Sequence, residues 1–221
     1  MKRILALVLT LVLLLTAGVT AVAEEQLTTT GLLDGTLSGG WQVNTTVSTQ
    51  KLGKAEKKVF SKATDGLVGA TYTPLAVLGT QVVAGMNYCF LCHSASATYP
   101  ATNSICKMYV YQDLSGKTSI TKIKELSLKN RPTGGWVLSK TKKEAKVDSA
   151  AKKALTKALE TLTGADYEPL LVLGRGKNAW YLLCSKKIVA PGSSAELARV
   201  YVKKSGKTYE IAGISDLAIA R

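Results

Sequence analysis

Cys89-Phe90-Leu91-Cys92-His93 is the densest group of reactive side chains in the sequence. Its C-x-x-C-H spacing is that of c-type haem attachment, in which two thiols hold the porphyrin and the histidine holds the iron. Met86 or Met108 would then stand as a second axial ligand. The same letters admit a dithiol redox pair or a Cys92–His93 dyad. Each chemistry asks for a local structure: a helix under the porphyrin, a βαβ unit, or two side chains on one face. The run from Asn87 to His93 instead reads as a strand, whose sequence neighbours point to opposite faces. The letters are therefore read as accidental, and no cofactor, metal or enzymatic activity is expected. His93 is the only histidine, so every histidine-dependent triad would have to run through it, and a multi-histidine metal site is excluded.

Cys106 and Cys184 complete the cysteines. Cys92 and Cys106 flank one loop on strands able to pair across it, which makes them the candidate disulfide. Cys89 and Cys184 occupy equivalent places and read as small buried thiols.

These residues sit inside a duplication. Gly39-Gly40-Trp41 recurs as Gly134-Gly135-Trp136, and Pro74-Leu75-Ala76-Val77-Leu78-Gly79 recurs as Pro169-Leu170-Leu171-Val172-Leu173-Gly174, both at an offset of 95. Ser115-Gly116-Lys117-Thr118 matches Ser205-Gly206-Lys207-Thr208 at an offset of 90, so the second copy is shorter. The predicted divisions are domains at 39–128 and 134–221, a linker at 129–133 and a flexible N-terminal segment at 24–38. Each copy has enough residues to fold on its own. The order in each is strand, helix, then several strands. Leu52, Val59, Phe60, Ala63 and Leu67 form one helical stripe, and Val147, Ala151, Leu155, Ala158 and Leu162 form the other. Asp113-Leu114-Ser115-Gly116 is a tight-turn signal between two strands. The expected class is α+β, with one long helix packed across an antiparallel β-sheet in each domain.

Residues 1–23 read as a secretory signal peptide: a basic start, an apolar run from Ile4, and Ala21-Val22-Ala23 before Glu24. The expected product is exported after cleavage near Ala23, without a transmembrane segment in the mature chain. The leader takes Lys2 and Arg3 with it, which lowers the formal net charge of +14 by two. All but five of the 29 basic residues are lysines, which favours weak binding to anionic polymers over specific nucleic-acid recognition.

Gln81-Val82-Val83-Ala84-Gly85 lies between two strands after the helix, and Leu37-Ser38-Gly39-Gly40 lies upstream. This Q-x-V-x-G hairpin, in that order and in a repeat of this length, resembles the cystatin family of cysteine-protease inhibitors. The resemblance implies two tandem cystatin-like domains. It also implies that the first inhibits papain-like cysteine proteases by reversible occlusion of the cleft. On that reading Val82, Val83 and Ala84 form an apolar wedge, Gln81 braces it and Gly85 permits the turn. Leu37, Ser38, Gly39 and Gly40 form the N-terminal contact. The family's second hairpin carries Pro-Trp, and here Leu114 is the only apolar residue of the matching turn. The second copy replaces the wedge with Gly176-Lys177-Asn178-Ala179-Trp180, whose lysine removes the apolar tip. The alternative expectation is a non-inhibitory adhesion or scaffold module at the cell surface, binding a protein or an anionic polymer through its lysines.

Overall fold

The computed structural model describes residues 39–127 and 136–219. The expected signal peptide, the segment 24–38 with Leu37 and Ser38, and the expected linker 129–133 lie outside the described residues. In the first copy the order is β1 (Trp41–Val43), α1 (Lys54–Thr64), β2 (Ala70–Val83), β3 (Gly85–Ser96), β4 (Asn103–Gln112) and β5 (Thr118–Glu125). In the second it is β6 (Val137–Leu138), α2 (Ser149–Leu159), β7 (Ala165–Gly176), β8 (Ala179–Ile188), β9 (Glu196–Ser205) and β10 (Thr208–Asp216). Each copy forms a five-stranded antiparallel sheet whose strands lie in sequence order. The two sheets carry register shifts at matching places, between Pro74/Ala76 and Val77/Gly79 in one and Pro169/Leu171 and Val172/Gly174 in the other.

The expected class is corrected. Among the described residues the structure is mainly β, 51% strand, with two short helices, and not a pair of α+β cystatin-like domains each built on a long helix. Each helix has 11 residues, about three turns. The stripes read from the sequence overrun them, because Leu52 precedes α1 and Leu67 and Leu162 follow the last turns. Gly53 caps α1 in an extended conformation, and Gly66 just past its end takes φ +72°. Such backbone cannot continue a right-handed helix.

Alternation along the strands explains the long apolar runs. On β3, Phe90 and Cys92 face α1 and join Val59 and Phe60, while Cys89 and Leu91 point the other way. On β8, Leu182 and Cys184 face α2 and join Ala151 and Leu155, while Tyr181 and Leu183 point away. Sheets buried on both faces read as near-continuous hydrophobic sequence. The faces turned from the helices meet in one central core, with Leu75, Leu91, Ile105 and Tyr109 from the first copy and Leu173, Leu183, Leu197 and Tyr201 from the second. The layers therefore run helix, sheet, sheet, helix. Each copy thus holds a core of its own between helix and sheet, and both also supply this third, central one.

The C-terminal residues tie the halves together. Lys107 Nζ donates to Ala218 O at 2.6 Å and Tyr109 Oη donates to Ile219 O at 2.6 Å. Ile219 also lies over Gly79, where an added Cβ would meet its Cδ1 at 3.1 Å and the Gln42 carbonyl oxygen at 2.6 Å. No described helix is long and apolar enough to cross a membrane.

Burial in this core pushes the Cys89 thiol up from 9.0 to about 12, against the opposing pull of the Lys107 ammonium and a Tyr109 hydrogen bond. The folded value is raised, so this contribution to stability is complete below pH 9 and disappears as pH climbs toward 12. Three units correspond to about 4 kcal/mol. Lys107 is held low, chiefly by burial, and works in the opposite sense as it deprotonates. Burial pushes the Cys92 and Cys184 thiols up as well, so denaturant melts between pH 8 and pH 11 should show a fall in stability that Cys89→Ala makes shallower without abolishing it. An unchanged slope in that variant would remove Cys89 as the source.

Candidate wedge at one end of the first sheet

The hairpin between β2 and β3 is as tight as the chain allows. Val83 pairs with Gly85, leaving Ala84 alone at the tip. Gly85 takes φ +122°, and a Cβ there would stand 2.3 Å from the Gln112 carbonyl oxygen. Only glycine fits both the conformation and the space. Val82 is 56% exposed and Val83 40%, so two branched apolar side chains point into solvent on a short, stiff hairpin. Isolated exposed valines are common on protein surfaces, but a paired set on a braced tip is less so.

Three side chains brace that tip. Asn87 Nδ2 donates to Gln81 Oε1 at 2.9 Å, Gln81 Nε2 donates to the Gly39 carbonyl oxygen, and Tyr111 Oη donates to the Ala84 carbonyl oxygen. Gln81 therefore links the hairpin to the glycine pair that opens β1, and Trp41 pairs directly with Gln81 across the sheet. Trp41 is itself fixed edge-on against Tyr109, with ring centroids 5.8 Å apart. Gly39 and Gly40 are exposed, and Gly39 takes φ +99°. The bracing roles of Asn87 and Tyr111 were not read from the sequence. The signal available for Tyr111 was its place on β4, opposite Asn87 and one residue before the end of the strand.

The turn between β4 and β5 occupies the same end of the sheet, because Gln112 pairs with Met86. Asp113 organises it, accepting from Ser115 Oγ at 2.7 Å and from the Lys117 amide at 2.9 Å. The Ser115 hydroxyl, followed by backbone amides, holds the Asp113 carboxyl below its ordinary range. Lys62 at the end of α1 donates to Gly116 O at 3.3 Å. Leu114 stands at the apex, 87% exposed. Gly39 and Gly40, the Gln81–Gly85 hairpin and Leu114 thus share one end of the first sheet. Of the residues expected there, only Leu37 and Ser38 fall outside the described residues.

The second copy has no equivalent tip. Its hairpin closes over Lys177 and Asn178, both exposed, with Asn178 at φ +58°. Ala179 is buried in the central core, and Trp180 packs with α2's cluster at 6.2 Å from the Tyr209 ring. That placement makes Trp180 a packing residue.

The reactive cluster is dispersed as the strand reading expects. Cys92 lies on the helix side of β3, whereas His93 on the next position is buried near Lys140 and Glu144 of the second copy, its basicity lowered by burial. Cys92 and Cys106 are directly opposed on β3 and β4, both buried, both free thiols and hydrogen-bonded to each other. Burial pushes the Cys92 thiol well up. Directly opposed residues of antiparallel strands have Cα separations of about 4.5–5.5 Å, inside the range a disulfide spans. Refolding with oxidised glutathione should therefore join Cys92 to Cys106, each bond releasing two reduced glutathiones. Peptide mapping that finds Cys89 or Cys184 in the cross-link would contradict this pairing. No group of three or more metal-ligating side chains occurs among the described residues.

No family model matches the chain, and no curated protein matches it in sequence.

Proposed function

We propose that this protein is a reversible, non-covalent inhibitor of papain-like cysteine proteases, and that it blocks the cleft with the exposed end of its first sheet. The observation that carries the reading is the convergence of three segments there, with Val82, Val83 and Leu114 exposed on backbone that is already fixed. A cleft-filling element must be narrow and must tolerate loss of water. Valine and leucine tips meet that demand, because they carry no charge that burial would leave unpaired. The Asn87–Gln81–Gly39 chain of hydrogen bonds and the Tyr111 contact hold the tip before it meets an enzyme. Pre-ordering lowers the entropy lost on binding, so a small contact area can suffice. Occlusion requires no nucleophile from this chain.

Dialysis and a bracing variant test the reading. Activity of the inhibited protease should return on dialysis, with substrate and inhibitor competing. Gln81→Ala removes two hydrogen bonds that fix the hairpin to Gly39 and Asn87, each worth about 1 kcal/mol net. The inhibition constant should rise about tenfold or more, and the melting temperature should fall by about 4–8 °C, well short of unfolding the chain at the assay temperature. Irreversible loss of protease activity, or inhibition indifferent to Gln81, would contradict the wedge.

A further inference from the structure

A second concave site lies where the two halves meet, apart from the wedge. It encloses about 540 Å³, within the range of small-ligand sites. The same repeat positions supply both walls: Val47 and Lys142, Lys51 and Lys146, and Leu75 and Leu170 are each 95 apart. Leu75 and Leu170 are buried and form the floor with half-buried Leu171 and Val147. Lys51, Lys142, Lys143 and Lys146 are exposed around the rim, and among the described residues no aspartate or glutamate lines the groove. Gln50 forms part of one wall. It is 3% exposed, its Nε2 donates to Asn44 O at 2.9 Å, and its Oε1 has no hydrogen-bond partner among the described residues. In the second copy the matching residue is Ala145, packed wholly within the central core.

We infer that this groove binds an anionic amphiphile, a hydrocarbon chain ending in a carboxylate or phosphate head. The apolar floor takes the chain, and the rim ammonium groups take the head. Two features of the groove set this occupant against the others. A polyanion such as nucleic acid would gain from the lysines but would leave the leucine floor unused. An extended acidic peptide would bring backbone donors and acceptors onto a floor of leucine and valine side chains, where unpaired polar groups are costly. A hydrocarbon chain brings none.

Residues 24–221, titrated with a dansylated undecanoate, test this directly. Saturable fluorescence enhancement is expected at one probe per chain, displaced by dodecanoate and at least tenfold less well by dodecanol. The double variant Lys51→Glu, Lys146→Glu reverses two exposed charges outside the described ion pairs. It should keep the wild-type melt and weaken the probe at least tenfold. Leu171→Glu, which places a carboxylate in the floor, should weaken the probe as much. Equal displacement by dodecanoate and dodecanol, or full affinity in the lysine variant, would reduce the groove to a non-specific apolar surface and overturn the inference. Displacement by an acidic peptide but not by dodecanoate would overturn it in favour of a peptide site. Absence of any saturable signal would overturn it outright. None of these results depends on whether the chain inhibits a protease.

Discussion

Produced as separate chains, residues 24–130 and 131–221 should each fail to give a cooperative melt, and mixing them should restore one. Leu75, Leu78, Leu91 and Ile105 are fully buried in the first copy, on a face of the sheet that α1 does not cover. Separation would bare that face, and the second copy would likewise bare Leu173, Leu183 and Leu197. Full burial of one such side chain is worth about 1.5–3 kcal/mol, so four of them approach ~10 kcal/mol. Whole domains of this size are stable by only about 5–15 kcal/mol. The C-terminal contacts to Lys107 and Tyr109 would be lost as well. Leu183→Asp in the intact chain should act alike, because an aspartate there has no partner in an apolar core. Independent, cooperative melts of both fragments would show that the central core is dispensable.

The two hairpin tips should answer a charge differently. Val83→Asp places a carboxylate on the wedge, where docking in a protease cleft would strip its water. An uncompensated buried charge costs several kcal/mol, which is at least a hundredfold in inhibition constant. Asn178→Asp falls at the matching place in the second copy, beside the exposed Lys177, on a tip that is already polar. It should leave inhibition unchanged within about twofold. Val83 and Asn178 are both exposed in the free protein, so neither substitution should shift the melt by more than the few tenths of a kcal/mol typical of surface changes. Equal effects of the two substitutions would move the inhibitory surface away from the first hairpin.

Sequence and structure agree most closely where chemistry is local. Gly85 and the Asp113–Gly116 turn could be read from residue type alone, since a positive φ or an aspartate-led turn is decided within a few residues. The helices were legible as stripes but not in length, because apolar spacing continues through Leu52, Leu67 and Leu162 after the backbone has left the helix. The class was misread for a related reason. A short amphipathic helix and a long one carry the same periodicity, and the weight of strand appears only when each apolar run is extended to its true ends. The central core lay beyond sequence reasoning altogether. Leu91 and Phe90 look alike in a continuous apolar run, and nothing local tells which faces a helix and which faces another sheet. Lys107 argues the same point from the other side, as a lysine that local pattern would place in water and the fold places under Ala218. Within the wedge, Gln81 was legible as a brace, whereas Tyr111 depends on a pairing between β3 and β4 that brings it within reach of Ala84.

Steady-state inhibition of a small panel of papain-like cysteine proteases by residues 24–221 is the most direct test of the central claim. Competitive inhibition of at least one member is expected, with a constant of about 1 µM or lower, equivalent to roughly −8 kcal/mol of binding. It should change little with salt, because the contact is apolar, whereas attraction through the lysines would weaken steeply as salt rises. No inhibition of any panel member at concentrations where the chain is folded would contradict the account.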